Sequence, residues 1–187
     1  MTGLSQEYWV IAPYLFPFLG ATLSLIFWKS RSTQSAVMIV SSLLQLIVGS
    51  CLLWQSLGSA PFVLELGSWP APFGIVFVID SFAALLLWVV SLVYFSTAIY
   101  ARPFLKSQDY KRGFNFLVHV LVLGVSASFM TGDIFNLYVC FELLLISSFI
   151  LLSLGTKKSQ LKAALKYVTL NILASICFLI GVGILYG

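Results

Sequence analysis

Long apolar runs separated by short polar connections dominate the chain. A helix that crosses a membrane needs about 20 predominantly apolar residues, and six runs meet or approach this length. They predict spans at residues 9–28, 35–57, 79–101, 113–130, 134–154 and 161–186. We therefore expect an all-α fold, a polytopic transmembrane helix bundle in which residues 1–187 form a single membrane domain.

One further apolar stretch, residues 58–78, does not have the pattern of a span. Its sequence GSAPFVLELGSWPAPFGIVFV contains three prolines, Pro61, Pro70 and Pro72. Proline inside a helix removes a backbone hydrogen bond and clashes with the preceding turn. We expect this segment to lie on the surface, outside the membrane.

Composition supports the membrane assignment. Hydrophobic residues make up 60% of the chain, charged residues 9%, and the mean hydropathy is +1.05. A soluble domain has an apolar share of about 45–50%, so this class is excluded. The three cysteines lie alone in separate apolar runs, and neither a disulfide framework nor a metal site is expected from them.

The net charge of +4 reflects orientation in the membrane. All ten basic residues fall at alternate connections, and basic connections face the cytoplasm. The prediction is that both termini lie outside and that no nucleic acid is bound. The basic residues are Lys29, Arg31, Arg102, Lys106, Lys111, Arg112, Lys157, Lys158, Lys162 and Lys166.

Glu142 is the acidic residue predicted to lie within the membrane. At about 1.5 Å per residue, it is about 12 Å along the fifth span from Ile134. A carboxylate near the bilayer midplane costs at least about 2.5 kcal/mol, and such residues usually have a function. We predict that Glu142 is a proton carrier or gate. The alternative is a structural glutamate that pairs with a neighbouring helix.

The surroundings of Glu142 decide whether it carries a proton. Tyr138, one turn earlier, is a candidate hydrogen-bond donor to the carboxylate. An ammonium group approaching to about 4 Å would stabilise the charged form by roughly 4 kcal/mol at an effective dielectric near 20, but no basic residue is predicted at membrane depth. Lys166 is about one turn inside the sixth span and can extend back to the surface, so both an anchoring and a transport role stay open. Glu142 is then either protonated at rest or paired with a base outside this chain.

His119, the only histidine, lies in the fourth predicted span. It is either a structural ring hydrogen-bonded inside the bundle or a relay between cytoplasmic water and Glu142, since histidine suits proton transfer near neutral pH. The difference in depth would require water molecules between the two residues. The sequence contains no Ser/His/Asp set, phosphate-binding loop, dinucleotide motif or His-rich metal cluster. We expect no cofactor and no metal site.

Three stretches together resemble one family. TGDIFNLYVCFELLLISSFILLSLG (131–155) and QLKAALKYVTLNILASICFLIGVGILYG (160–187) are similar to the antiporter-like subunits shared by Mrp-type sodium/proton antiporters and respiratory complex I. LGSWPAPFGIVFVIDSFAALL (66–86) is more similar to the Mrp-type members than to those of complex I. The resemblance implies that Glu142 is the fifth-helix glutamate, which works with a lysine of the seventh helix in a proton pathway. Members have about fourteen helices, so we expect the chain to be an N-terminal fragment or one half of a split subunit.

The expected function is that of a membrane subunit of a multisubunit monovalent cation (Na+)/proton antiporter in the plasma (inner) membrane. This is a secondary transporter subunit, not an enzyme. Its expected partners are other subunits, protons, Na+ or K+, and the lipid bilayer. One alternative is a proton-translocating subunit of an NADH:quinone oxidoreductase or hydrogenase complex, a redox-driven translocase whose redox chemistry belongs to other subunits. The other alternative is a scaffold subunit that does not transport.

Overall fold

A computed structural model of the chain describes residues 3–66, 74–154 and 158–186. Within these residues the chain forms seven helices and one two-stranded sheet. The helices are α1 (Gly3–Ile26), α2 (Arg31–Ser56), α3 (Ser81–Phe104), α4 (Ser107–Lys111), α5 (Phe114–Met130), α6 (Ile134–Ser153) and α7 (Lys158–Tyr186). The strands are β1 (Phe62–Leu66) and β2 (Ile75–Ile79), between α2 and α3 in sequence.

The long helices have the length and composition of membrane spans. Five of the described helices, α1, α2, α3, α6 and α7, are long and apolar enough to cross a membrane. α5 is a shorter apolar helix of 17 residues, which spans about 25 Å of a hydrocarbon core about 30 Å thick. The predicted fold class, a polytopic transmembrane helix bundle, is confirmed. The side of the membrane on which each terminus lies stays a prediction.

Aspartates fix the N-terminal ends of two spans. Asp80 Oδ1 accepts a hydrogen bond from the backbone N–H of Ala83, at 2.7 Å. The Asp133 carboxylate accepts from the N–H groups of Phe135 and Asn136, at 3.1 and 3.0 Å. These contacts satisfy N–H groups that lack a partner within the helix. The cap on α6 fixes where the helix containing Glu142 begins.

Three polar connections meet at one end of the bundle, which we call the basic end. Arg31 Nη2 donates to the Arg102 carbonyl at 3.2 Å, linking the start of α2 to the last turn of α3. The Arg31 guanidinium also lies 5.3 Å from the ring centroid of Tyr110 in α4. Arg112 Nη1 donates to the Leu154 carbonyl, just after α6, at 3.0 Å. Bases from separate connections thus share one end of the fold.

The segment predicted to lie on the surface contains an antiparallel hairpin. β1 pairs with β2 from Phe62 opposite Ile79 to Leu66 opposite Ile75. Side chains alternate along a strand, and in β2 this alternation buries Phe77 and Ile79 among helix residues. The all-α description therefore omitted a small sheet, formed by β-branched and aromatic residues. Residues 67–73 of the segment lie outside the described residues.

The hairpin is joined to the helices opposite the basic end. Gly132 N–H donates to the Val76 carbonyl at 2.8 Å, between α5 and α6. Phe77 also forms an isolated antiparallel bridge with Thr131. These contacts connect β2 to the α5–α6 turn.

Helices α1, α2, α3 and α5 enclose an interior rich in polar side chains. Hydrogen bonds between polar side chains help to hold helices together in membranes. One such bond joins α2 to α5, because Gln45 Nε2 donates to Ser126 Oγ at 3.0 Å. The buried polar residues of these four helices include Ser24, Gln34, Ser35, Ser41, Ser42, Gln45, Ser56, Ser91, Asn115, His119 and Ser126. The first three spans and α5 thus form a packed unit, whereas in α7 the described buried side chains are Ala164 and Val182.

Candidate functional site

Glu142 lies on the side of α6 that faces α7. Gly124 of α5 packs against the Cys140 carbonyl and Leu144, so these two positions of α6 face α5. Glu142 is two residues from each of them, and a helix turns roughly 200° over two residues. The carboxylate is therefore directed away from α5. It is half-buried and lies near the middle of the 20-residue helix.

The carboxylate has a polar partner on the neighbouring helix. Ser175 Oγ in α7 donates a hydrogen bond to Glu142 Oε1. A hydroxyl donor satisfies one lone pair of the carboxyl group, but it does not supply the positive charge that would balance an ionised form. Among the described residues, the hydrogen-bond partner of this side chain is thus a hydroxyl group and not a base.

Two open cavities adjoin the glutamate along the α6–α7 face. One has a volume of about 340 Å³ and is lined by Glu142, Leu145, Phe149 and Tyr167, among others. The other, of about 180 Å³, includes Tyr138 and Ser175 in its lining. Both are also lined by Asn171, which sequence reasoning alone cannot assign to the glutamate. Their volumes leave room for water molecules or for side chains from another segment.

Tyr138 and Lys166 lie at different distances from the glutamate. Tyr138 lines a cavity with Glu142, and its ring stacks on Phe178 with centroids 6.2 Å apart. Its predicted hydrogen bond to the carboxylate is not formed among the described residues and stays a prediction. Lys166 is exposed and lies nine residues before Ser175 on α7, about 13.5 Å along the axis. Among the described residues the hydrogen-bond partner of Glu142 is Ser175, and a role for Lys166 stays a prediction.

His119 is fully buried on the other side of α5. Its Nδ1 donates to the Asn115 carbonyl at 2.6 Å, and its Nε2 lies 3.0 Å from Ser41 Oγ in α2. Tyr94 of α3 approaches the ring edge-on, with centroids 5.8 Å apart. The absence of a side chain at Gly20 of α1 leaves room for the ring, because a Cβ there would overlap it. Four helices thus contribute to the surroundings of this histidine.

The Ser41 hydroxyl has three possible acceptors, one of which is Tyr94 Oη at 3.3 Å. It lies 2.6 Å from the Val37 carbonyl and 3.0 Å from His119 Nε2. When its proton points to Nε2, the histidine is neutral. When its proton points to the Val37 carbonyl, an N–H at Nε2 has the serine oxygen as acceptor, and the ring then bears two protons. Rotation of one hydroxyl therefore lets the same heavy-atom arrangement hold either form of His119.

The two polar sites are separate. His119 contacts α1, α2 and α3, whereas Glu142 faces α7, and the close α5–α6 contact at Gly124 lies between the two faces. The structure therefore brings Glu142 together with Ser175 and Asn171, and His119 together with Ser41. A direct proton transfer from His119 to Glu142 does not follow from this arrangement.

Comparison with known proteins relates the chain to one family. Residues 131–187 match the family model described as NADH:quinone oxidoreductase/Mrp antiporter, TM. The chain is 40% identical over 177 residues to the Na(+)/H(+) antiporter D subunit of Alkalihalophilus pseudofirmus, covering 95% of this chain and 36% of that protein. Over most of its length the chain is thus similar to the D subunits of Na(+)/H(+) antiporters. A second relative, the Na(+)/H(+) antiporter D subunit of Bacillus subtilis, is 38% identical over 180 residues, again covering 36% of the relative.

Solved structures agree with this relationship. The chain resembles a chain of the Mrp complex from a Dietzia species with a TM-score of 0.87 and 25% identity, covering 100% of this chain and 35% of that one. It also resembles a chain of the membrane-bound sulfane sulfur reductase, an archaeal respiratory membrane complex, with a TM-score of 0.83 and 28% identity. That match covers 99% of this chain and 37% of the other. The chain thus spans little more than a third of the length of its relatives.

The residues that sequence reasoning missed are neutral partners. Ser175 and Asn171 of α7 lie at the glutamate, and Ser41 and Tyr94 lie at the histidine. Serine and asparagine in transmembrane helices commonly form hydrogen bonds between helices, and tyrosine is enriched near the membrane surfaces. The sequence therefore contains no signal that separates these four from the other polar residues of the spans.

Proposed function

We propose that this antiporter-like chain is a membrane subunit of a multisubunit monovalent cation (Na+)/proton antiporter in the plasma membrane, acting with other subunits. Its role is to contribute Glu142 to a proton pathway. The names of the two antiporter relatives support the antiporter assignment. The observation that carries the role of the glutamate is its position, at mid-helix, half-buried and facing two cavities.

The cavities suggest how the glutamate works, as does its hydrogen-bond partner, which among the described residues is not a base. A carboxylate at this depth is costly unless it is protonated or paired with a cation. Its partner in α7 is the Ser175 hydroxyl, which can donate to either form of the carboxyl group. We infer that a cation-bearing side chain from a further segment or subunit reaches the α6–α7 face. Approach of that base would favour loss of the proton from Glu142, and its withdrawal would favour proton uptake.

His119 is proposed as a second proton-holding group, within the unit formed by α1, α2, α3 and α5. Val37 O and His119 Nε2 are alternative acceptors of the Ser41 hydroxyl, which supports this role because either protonation form of the ring keeps its hydrogen bonds. The side chains of His119 and Glu142 lie on different sides of α5. If His119 relays protons to Glu142, water molecules or another segment would therefore have to carry the proton between them. The alternative role is structural, since the ring also joins α2 to α5.

A second candidate function rests on the similarity to the sulfane sulfur reductase complex. In that case the chain would be a proton-translocating subunit of a respiratory complex, and the redox centres would belong to other subunits. Purification of the chain with its native partners separates the two functions. Redox cofactors in the purified complex would favour the respiratory assignment, and a complex that exchanges Na+ for protons without them would favour the antiporter.

Glu142→Gln in the assembled complex tests the role of the glutamate. The amide keeps the shape of the side chain but carries no proton between sites, so proton-coupled Na+ flux in everted vesicles should fall to background. Glu65→Gln on the exposed face of β1 is the matched control, because it removes the same charge outside the membrane. Native gel electrophoresis checks that both variants assemble. Normal flux in assembled Glu142→Gln would reject the proton role and favour a scaffold subunit.

A further inference from the structure

A groove between the ends of α2 and α3 has the properties of a lipid site. It has a volume of about 780 Å³ and opens at the basic end. Arg31 and Arg102 contribute two cationic groups, one from each helix. Ser32, Ser35, Ile39 and Val40 of α2 also line it. The groove is separate from both Glu142 and His119, and the inference does not depend on the proposed transport function.

Contacts within the protein hold Arg31 in place. Its Nη2 donates to the Arg102 carbonyl at 3.2 Å, and its guanidinium carbon lies 5.3 Å from the centroid of the buried Tyr110 ring. These two contacts use one N–H group and one face of the planar guanidinium. An arginine has five N–H donors, so others are left for a ligand. Because Arg31 and Arg102 line the same groove, their charges act on the same ligand.

The polarity of the groove changes with depth. Arg31 and Val40 are nine residues apart on α2, about 13.5 Å along the axis. The two arginines and the serine hydroxyls lie near the helix ends. Ile39 and Val40 lie farther along α2, toward the membrane interior, and the Val40 side chain is 55% exposed. A free anion would contact only the polar part. A phospholipid would match both parts, with its headgroup at the arginines and an acyl chain along the apolar wall.

We propose that this groove binds an anionic phospholipid of the leaflet at the basic end. The guanidinium groups contact the lipid phosphate, for which the planar arginine fork is well suited. Basic pockets between transmembrane helices on the cytoplasmic side are known to bind anionic headgroups. The bound lipid joins α2 to α3 at the end where the two helices leave a groove. Farther along, the same helices are in close contact, with Gly49 against Ser91.

Native mass spectrometry of the full chain tests the proposal. The purified chain in detergent is titrated with phosphatidylglycerol and, separately, with phosphatidylcholine of the same acyl chains. We expect the anionic lipid to be retained preferentially. Arg31→Gln with Arg102→Gln should weaken its retention about tenfold, because charge-assisted contacts to the phosphate are lost. Lys29→Gln with Lys111→Gln is the control, since both lysines are exposed basic-end residues that do not line the groove.

Two further arms separate a lipid from other ligands. Ala36→Phe fills the apolar part of the groove and keeps both arginines, so phosphatidylglycerol retention should fall as it does in the arginine variant. Inorganic phosphate at millimolar concentration should displace little of the bound lipid. Equal loss in the lysine control, unchanged retention in both groove variants, or full displacement by phosphate would overturn the proposal. Far-UV circular dichroism identifies an unfolded variant, and the other groove variant then decides.

Discussion

Gly20 offers a direct test of how tightly the histidine site is packed. In α1, a Cβ at position 20 would overlap Cδ2 and Nε2 of the His119 ring and would lie 3.0 Å from Ser41 Oγ. The ring is fully buried and hydrogen-bonded at both nitrogens, so it has little room to move. Gly20→Ala is therefore expected to displace the ring or separate α1 from α5.

The size of the effect follows from two contributions. Overpacking a well-packed interior typically costs about 1–3 kcal/mol, and loss of the hydrogen bond between Ser41 and Nε2 adds about 0.5–1.5 kcal/mol. Alanine favours a helix over glycine by up to about 1 kcal/mol, which offsets part of this cost. We expect the free energy of unfolding of Gly20→Ala to fall by about 1–3 kcal/mol.

The assay is titration of the full chain with sodium dodecyl sulfate in mixed micelles, followed by the helical circular dichroism signal. Gly181→Ala in α7 is the matched control, because a Cβ there meets nothing within 4 Å among the described residues. This control should be neutral or slightly stabilising. In a His119→Ala background the overlap with the ring is removed and only the contact with Ser41 Oγ remains, so adding Gly20→Ala should cost much less than it does with the ring present. Equal stability of Gly20→Ala and Gly181→Ala, or a cost that persists in full without the ring, would refute the packing argument.

Two other substitutions test the neighbouring features. Gly124→Ala would place a Cβ 2.9 Å from the Leu144 backbone nitrogen, and backbone atoms cannot move aside as a side chain can. The free energy of unfolding should fall by about 1–3 kcal/mol in the same titration. Gly183→Ala is the control and should leave it unchanged. His119→Gln keeps hydrogen-bonding capacity but holds no extra proton, so it should lower proton-coupled flux and flatten its pH profile in a normally assembled complex. A pH profile and flux like those of the unsubstituted complex would leave His119 with a structural role alone.

The apolar runs predict the spans because membrane thickness fixes the number of residues needed to cross it. The sequence did not predict the hairpin because the prolines and glycines of this segment indicate turns and interrupt the strand pattern. Strand formation here also depends on packing against the helices. The cost of a carboxylate in lipid singles out Glu142 without any structure. In contrast, the separation of His119 from Glu142 depends on which face of α5 packs against α6. Both helices are predominantly apolar on all sides, so their sequences do not show which faces meet.

The hydrogen bond between Gly132 and Val76 has a mechanical consequence. Gly132 precedes the Asp133 cap by one residue, so this hydrogen bond connects the first turn of α6 to the hairpin. A sliding movement of α6 along its axis would have to pull β2 with it or break this hydrogen bond. The position of Glu142 along the axis of α6 is thus tied to a backbone contact more than two helical turns away, and changes in the hairpin are expected to alter the position of the carboxylate.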